Sequence, residues 1–124
     1  MRLYTKDHAW VVATGSRARI GISDFAQKEL GEIAYVELPK KGTRLHRGEV
    51  GCTVDSMKTS SEIYSPVTGT VVAVNAAVAT EENCGLINSD PLGDGWLFEL
   101  DMEDRAELDL LLGEKDYLAF VQGN

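Results

Sequence analysis

Positive charge is in short supply in this 124-residue chain: 12 Lys and Arg face 20 Asp and Glu, for a formal net charge of −8. Nucleic acids and anionic membranes are held mainly by basic patches, so neither is an expected partner. Long apolar runs are missing too. No stretch approaches the roughly 20 residues that span a bilayer. The opening MRLYTKDHAW lacks both the apolar core of a secretory signal and the Arg/Ser-rich, acid-poor character of a transit peptide. A cytoplasmic monomer is the expectation. Cysteine is limited to Cys52 and Cys84, far apart, with no CxxC pair and no histidine cluster nearby. That spacing points to two reduced thiols, each a small buried or semi-exposed residue, and to no metal site. Low-complexity segments and long linkers are absent, and the length suits one modest core, so a single domain over residues 1–124 is expected.

What is present reads mainly as β structure. AWVVATGSRARIGI (9–22) reads as two strands around a Gly15-Ser16 turn, with Ala18, Ile20 and Ile22 alternating against Arg17, Arg19 and Gly21. SDFAQKELG reads as a short helix with Ser23 as N-cap, Phe25 and Leu30 facing inward, and Gly31 ending it. Further strand-like runs lie at 34–38, 49–54, 70–74 and 96–100, separated by glycine and proline turns. Many short strands with frequent turns indicate an antiparallel sandwich or barrel. In the tail, Leu108, Leu111 and Leu112 sit at helical spacing, and a second amphipathic piece carries Tyr117, Leu118 and Val121. Asp101, Glu103 and Asp104 ahead of it suit a helix N-terminus.

The acidic middle of the chain holds one conspicuous exception. From Gly48 to Asp104, Lys58 is the only Lys or Arg among eleven Asp or Glu. It stands in DSMKTSSE, between two strand-like runs, which places it near the tip of a β-hairpin. Three readings are open: a solvated surface lysine, a catalytic amine, and an attachment point. A catalytic amine requires a lowered pKa from burial or cationic neighbours. The expected neighbours, Asp55 and Glu62, favour the ammonium form instead. No set of nucleophile, base and oxyanion donors assembles elsewhere. Composition leaves the surface lysine and the attachment point unresolved.

Resemblance separates them. YTKDHAW (4–10), GISDFAQKELGEIAYVELP (21–39), VDSMKTSSEIYSPVTGTVVAVN (54–75) and LINSDPLGDGW (86–96), followed by a helical tail, make the chain similar to the H proteins of the glycine cleavage system. The resemblance covers nearly the whole length. It implies a mainly β, lipoyl-domain-like barrel-sandwich hybrid with a short helix and a helical C-terminal tail. It implies a carrier, not an enzyme, with lipoate attached covalently to Lys58 and an aminomethyl group shuttled on that arm. The implied partners are a pyridoxal-phosphate glycine decarboxylase, an aminomethyltransferase, a dihydrolipoyl dehydrogenase and a lipoate-attaching enzyme. Biotin carriers also present Met-Lys, but Ser56-Met57-Lys58-Thr59 departs from their usual Ala-Met-Lys-Met.

Three positions depart from the family's usual pattern. Ala9 stands between His8 and Trp10 where Glu is usual, Asp55 stands where Glu is usual, and Cys84 follows Asn83 where Pro is usual. The first two keep an alternative in view: an H-like lipoyl carrier working outside glycine cleavage, as a lipoyl donor or as the substrate of a regulatory modification. His46, between Arg44 and Arg47, reads as a solvated turn residue, and GDGW as a turn leading into a strand.

Overall fold

Alternation of apolar and polar side chains builds the larger sheet. In the computed structural model, which describes residues 2–123, the runs around Gly15-Ser16 form a hairpin of β2 (Ala9–Thr14) and β3 (Arg17–Ile22). The other elements are β1 (Arg2–Tyr4), α1 (Asp24–Leu30), β4 (Ile33–Glu37), β5 (Arg44–Leu45), β6 (Val50–Ser56), β7 (Ser60–Tyr64), β8 (Gly69–Val74), α2 (Leu86–Ser89), β9 (Phe98–Met102), β10 (Leu112–Gly113) and α3 (Glu114–Gln122). One antiparallel sheet runs β10-β1-β2-β3-β9-β8-β5, and a second, three-stranded one runs β4-β6-β7. The architecture is the mainly β, two-sheet arrangement expected, with short helices added.

Because strand side chains alternate, the large sheet has two apolar faces. Its inner face supplies Ala9, Val11, Ile20, Ile22, Phe98 and Leu100, packed with Ile33, Val36, Val54 and Ile63 from the small sheet. Each fully buried Ile, Leu or Phe stabilises the fold by roughly 1.5–3 kcal/mol relative to exposure. The outer face carries Tyr4 and Trp10, covered by Tyr117 of α3 with Phe120 and Val121. Trp10 lies flat on the sheet because Gly21 faces it: a Cβ there would meet the indole at 2.6 Å. Its Nε1 donates to Pro91 O at 2.9 Å. Tyr4 and Tyr117 stack with centroids 4.3 Å apart.

Several local expectations hold. Ser23 caps α1, its Oγ accepting from the Ala26 N–H at 3.1 Å, and Gly31 closes the helix at φ 77°. Cys52 and Cys84 are free and buried; burial pushes the Cys52 thiol up to about 12. His46 is an exposed turn residue beside Arg44. Asp104 caps a 3-10 turn at Arg105–Leu110.

The tail holds the helical pieces expected, a 3-10 segment and α3 packed on the sheet, but several of its residues are placed differently. The leucines at helical spacing give only that single 3-10 segment, after which Leu112 and Gly113 pair with Tyr4 and Leu3 as an edge strand. Leu118 is half exposed, and Phe120 packs inward beside Tyr117. Asp101 and Glu103 serve no helix end: Asp101 lies in β9, and Glu103 forms an ion pair with Arg44 at 2.6 Å. Phe25 is half buried and packs against His8 with ring centroids 4.7 Å apart, outside the main core. Among the described residues, no helix is long and apolar enough to cross a membrane.

Candidate functional site

The β6–β7 hairpin carries Lys58 in a short turn of Met57, Lys58 and Thr59, between paired Asp55 and Ser60. Ser56 organises that turn. Its N–H donates to Thr59 O at 2.8 Å, and its Oγ accepts from the amides of Lys58 and Thr59 at 3.3 and 3.1 Å. A small hydroxylated side chain folds back on its own backbone here, as such residues do in turns. Asp55 accepts a hydrogen bond from the Ser60 hydroxyl across the strands.

The tip is also anchored from outside. The Met57 N–H donates to Glu32 O at 2.9 Å, tying the turn to the segment that leaves α1. That segment is in turn clamped by Asn88 of α2. The Asn88 Oδ1 accepts from the Ile33 N–H at 3.0 Å, while its Nδ2 donates to Gly31 O at 2.8 Å and Gln27 Oε1 at 3.0 Å. The lysine stem passes over Gly31, where a Cβ would lie 3.5 Å from Lys58 Cε. The lysine therefore rests on a platform shaped by a positive-φ glycine and held by one asparagine. Lys58 and Met57 are exposed, and Met57 keeps 71% of its surface.

Asp55 and Glu62 are not ion-pair partners of the lysine. Asp55 turns to Ser60, and Glu62 pairs with Thr53 further down the hairpin. Among the described residues Lys58 makes no ion pair. The geometry suits covalent attachment: the amine is exposed and uncommitted, and the backbone beneath it is fixed. No group of three or more His, Cys, Asp or Glu among the described residues is arranged to hold a metal ion.

His8 and Ala9 sit at the start of β2, near the other end of α1. The Ala9 side chain is 1% exposed and belongs to the inner core with Ile22 and Leu30. His8, at φ 70°, has its Nδ1 2.7 Å from the Tyr117 hydroxyl, which is 2.7 Å from Ser23 Oγ. Ser23 thus joins α3 and the β1–β2 turn to the N-cap of the helix whose far end supports Lys58. Burial lowers the His8 pKa against the opposing pull of Asp7 and Glu29. Burial raises that of Tyr117 despite its bond to Ser23. Cys84 is buried, its Sγ 3.4 Å from Ile33 O.

Sequence reasoning singled out Lys58, Ser56, Ser23 and Gly31 but missed Glu32 and Asn88. Glu32 acts through its carbonyl, which leaves no side-chain signature. Asn88 stood inside LINSDPLGDGW, and a polar residue there followed by the Asp90-Pro91 turn was the available signal.

Comparison with known proteins adds independent findings. The family described as Glycine cleavage H-protein matches residues 2–124. A glycine cleavage system H protein of Thermus thermophilus is 45% identical over 116 residues, covering 94% of this chain and 89% of that protein. One from Thermotoga maritima is 42% identical over 120 residues, covering 97% and 95%. The crystal structure of a glycine cleavage system H protein from Mycobacterium marinum superposes with a TM-score of 0.86 at 33% identity, covering 99% of this chain and 97% of that one.

Proposed function

The chain belongs to the glycine cleavage H-protein family, and on that premise we propose that Lys58 is the residue that carries its lipoyl group. The protein's role is that of a lipoyl carrier in glycine cleavage, a carrier and not a catalyst. The observation that supports Lys58 is its setting: an exposed amine, without an ion pair among the described residues, at the tip of a hairpin whose turn is fixed by Ser56 and anchored to Glu32.

When bound, lipoate supplies a dithiolane that takes up the aminomethyl unit of glycine and is reoxidised after releasing it. The chain's own residues supply position. Ser56 fixes the turn, the Met57 amide ties it to Glu32 just after α1, and the lysine stem passes over Gly31. The four partners are a pyridoxal-phosphate glycine decarboxylase, an aminomethyltransferase, a dihydrolipoyl dehydrogenase and a lipoate-attaching enzyme. Residues 1–124 act as one carrier domain. The net charge of −8 suits basic docking patches on those partners, with association that weakens as salt rises.

Reconstitution tests the reading. Lipoylated protein mixed with the other three components turns over glycine, and the Lys58→Arg protein does not. Lipoylation without glycine turnover would assign the carrier to other acceptors.

A further inference from the structure

On the outer face of the large sheet, away from the hairpin tip, three arginines share one open groove of about 530 Å³. Arg2 of β1 and Arg17 and Arg19 of β3 line it, with Glu99 of β9 as the one carboxylate among its described lining residues. Strand alternation sends them there: Ala18 and Ile20 are buried inward, so Arg17 and Arg19 face out. Glu99 receives Arg17 Nη1 at 3.1 Å and Arg19 Nε at 2.7 Å. Each guanidinium has further N–H groups beyond those bonds. Arg2 donates through Nη2 to Leu92 O at 3.0 Å, while its Nε is buried with no hydrogen-bond partner among the described residues. The chain's two tryptophans brace the guanidiniums: the Arg2 Cζ lies 5.1 Å from the Trp10 ring and the Arg19 Cζ 4.4 Å from Trp96.

Three arginines share this face with two carboxylates, Glu99 between Arg17 and Arg19 and Asp101 opposite Arg17 in the neighbouring strand, which leaves a surplus of one cation. The groove is thus a locally cationic patch on a protein whose net charge is −8. We propose that this groove is a docking site for an acidic, Asp- or Glu-bearing segment of a partner protein. Guanidinium forks match carboxylates in shape as well as charge. The Arg17 and Arg19 side chains remain 55% and 47% exposed, which suits a segment laid along the groove. Acidic surface elsewhere repels such a segment and directs it here.

The site is also placed so as to leave the hairpin free. Arg17 opens β3, and Ile22 ends it just before α1, about 17 Å further along at roughly 3.3 Å per residue. Lys58 rests against the far end of that helix. A partner held in the groove leaves the hairpin tip to a second one. The groove stands on its own observations, independent of the Lys58 assignment.

Both tryptophans border the arginines, so intrinsic fluorescence of the full chain reads occupancy. A hexaglutamate peptide titrated at low ionic strength gives a saturable change that salt reverses, whereas hexalysine gives none. An Arg17→Gln/Arg19→Gln/Glu99→Gln variant removes two cations together with the carboxylate they neutralise, and it binds the peptide about tenfold more weakly. Glu99→Gln alone raises the groove's net charge and tightens binding a few-fold. Melting curves establish that both variants are folded. Three results would overturn the proposal: no saturable change with hexaglutamate, undiminished affinity in the folded triple variant, or saturation by inorganic phosphate at the same concentration as the peptide.

Discussion

At the hairpin tip one cation stands without an ion pair among the described residues, and on the outer face of the large sheet two arginines grip a buried carboxylate while a third lines the same groove. The two regions use positive charge in opposite ways. Lys58 has no ionic partner among the described residues; its position comes from backbone hydrogen bonds at Ser56, Met57 and Glu32. Arg17 and Arg19 are held by Glu99, and Arg2 and Arg19 lie over tryptophan rings. Acylation of Lys58, as proposed, would remove a charge on which no ion pair among the described residues depends. A docking cation keeps its charge, and its neighbours can be built around it.

That contrast predicts where substitutions hurt. Asn88→Ala produces the largest loss, about 3 kcal/mol, because three hydrogen bonds at about 1 kcal/mol each vanish and the Ile33 N–H is left buried. Chemical denaturation measures it, and the Met57 amide resonance moves as its anchor shifts. Arg17→Leu/Arg19→Leu costs about 2 kcal/mol by stranding Glu99, less than for a fully buried pair because the arginines are half exposed. Gly31→Ala costs about 1–2 kcal/mol, because φ 77° with ψ −153° is backbone that glycine alone adopts freely. It also slows lipoylation, which an equally destabilising core substitution does not.

Acid sharpens the comparison further. Burial pushes the Glu99 carboxyl up, but hydrogen bonds and charge from Arg19 and Arg17 outweigh it and hold the group below its ordinary value. Its folded pKa is therefore depressed. The stability it contributes is complete above the unfolded value and is lost as pH falls through the folded one. Glu99→Gln flattens that part of the acid unfolding curve. Lys58→Gln leaves the curve unchanged and shifts stability by less than about 0.5 kcal/mol, the smallest effect of the set.

Legibility in the sequence followed how local each determinant was. The β2–β3 hairpin was readable because Ala18, Ile20 and Ile22 alternate over a buried face, and α1 because Ser23 and Gly31 mark its ends. The pattern Leu108, Leu111, Leu112 misled, since one short apolar cluster fits a helical turn or a turn followed by an edge strand equally well. Partner strands decided the matter, and β10 exists only by pairing with β1. The two-residue β5 and three-residue β1 were too short to show a period. Lys58 was conspicuous through its charge isolation, and the H-protein resemblance implied a cargo for it. The arginine groove was invisible because its residues come from three strands that meet only in the folded sheet. Ala9, which stood where the family usually has Glu, proved to be a core residue.

Intact mass is the most direct test of the central claim. After incubation with a lipoate-attaching enzyme, lipoate and ATP, the account predicts that the wild-type chain gains one lipoyl group and the Lys58→Arg chain gains none. An unmodified wild-type chain, or the same gain on Lys58→Arg, would contradict it.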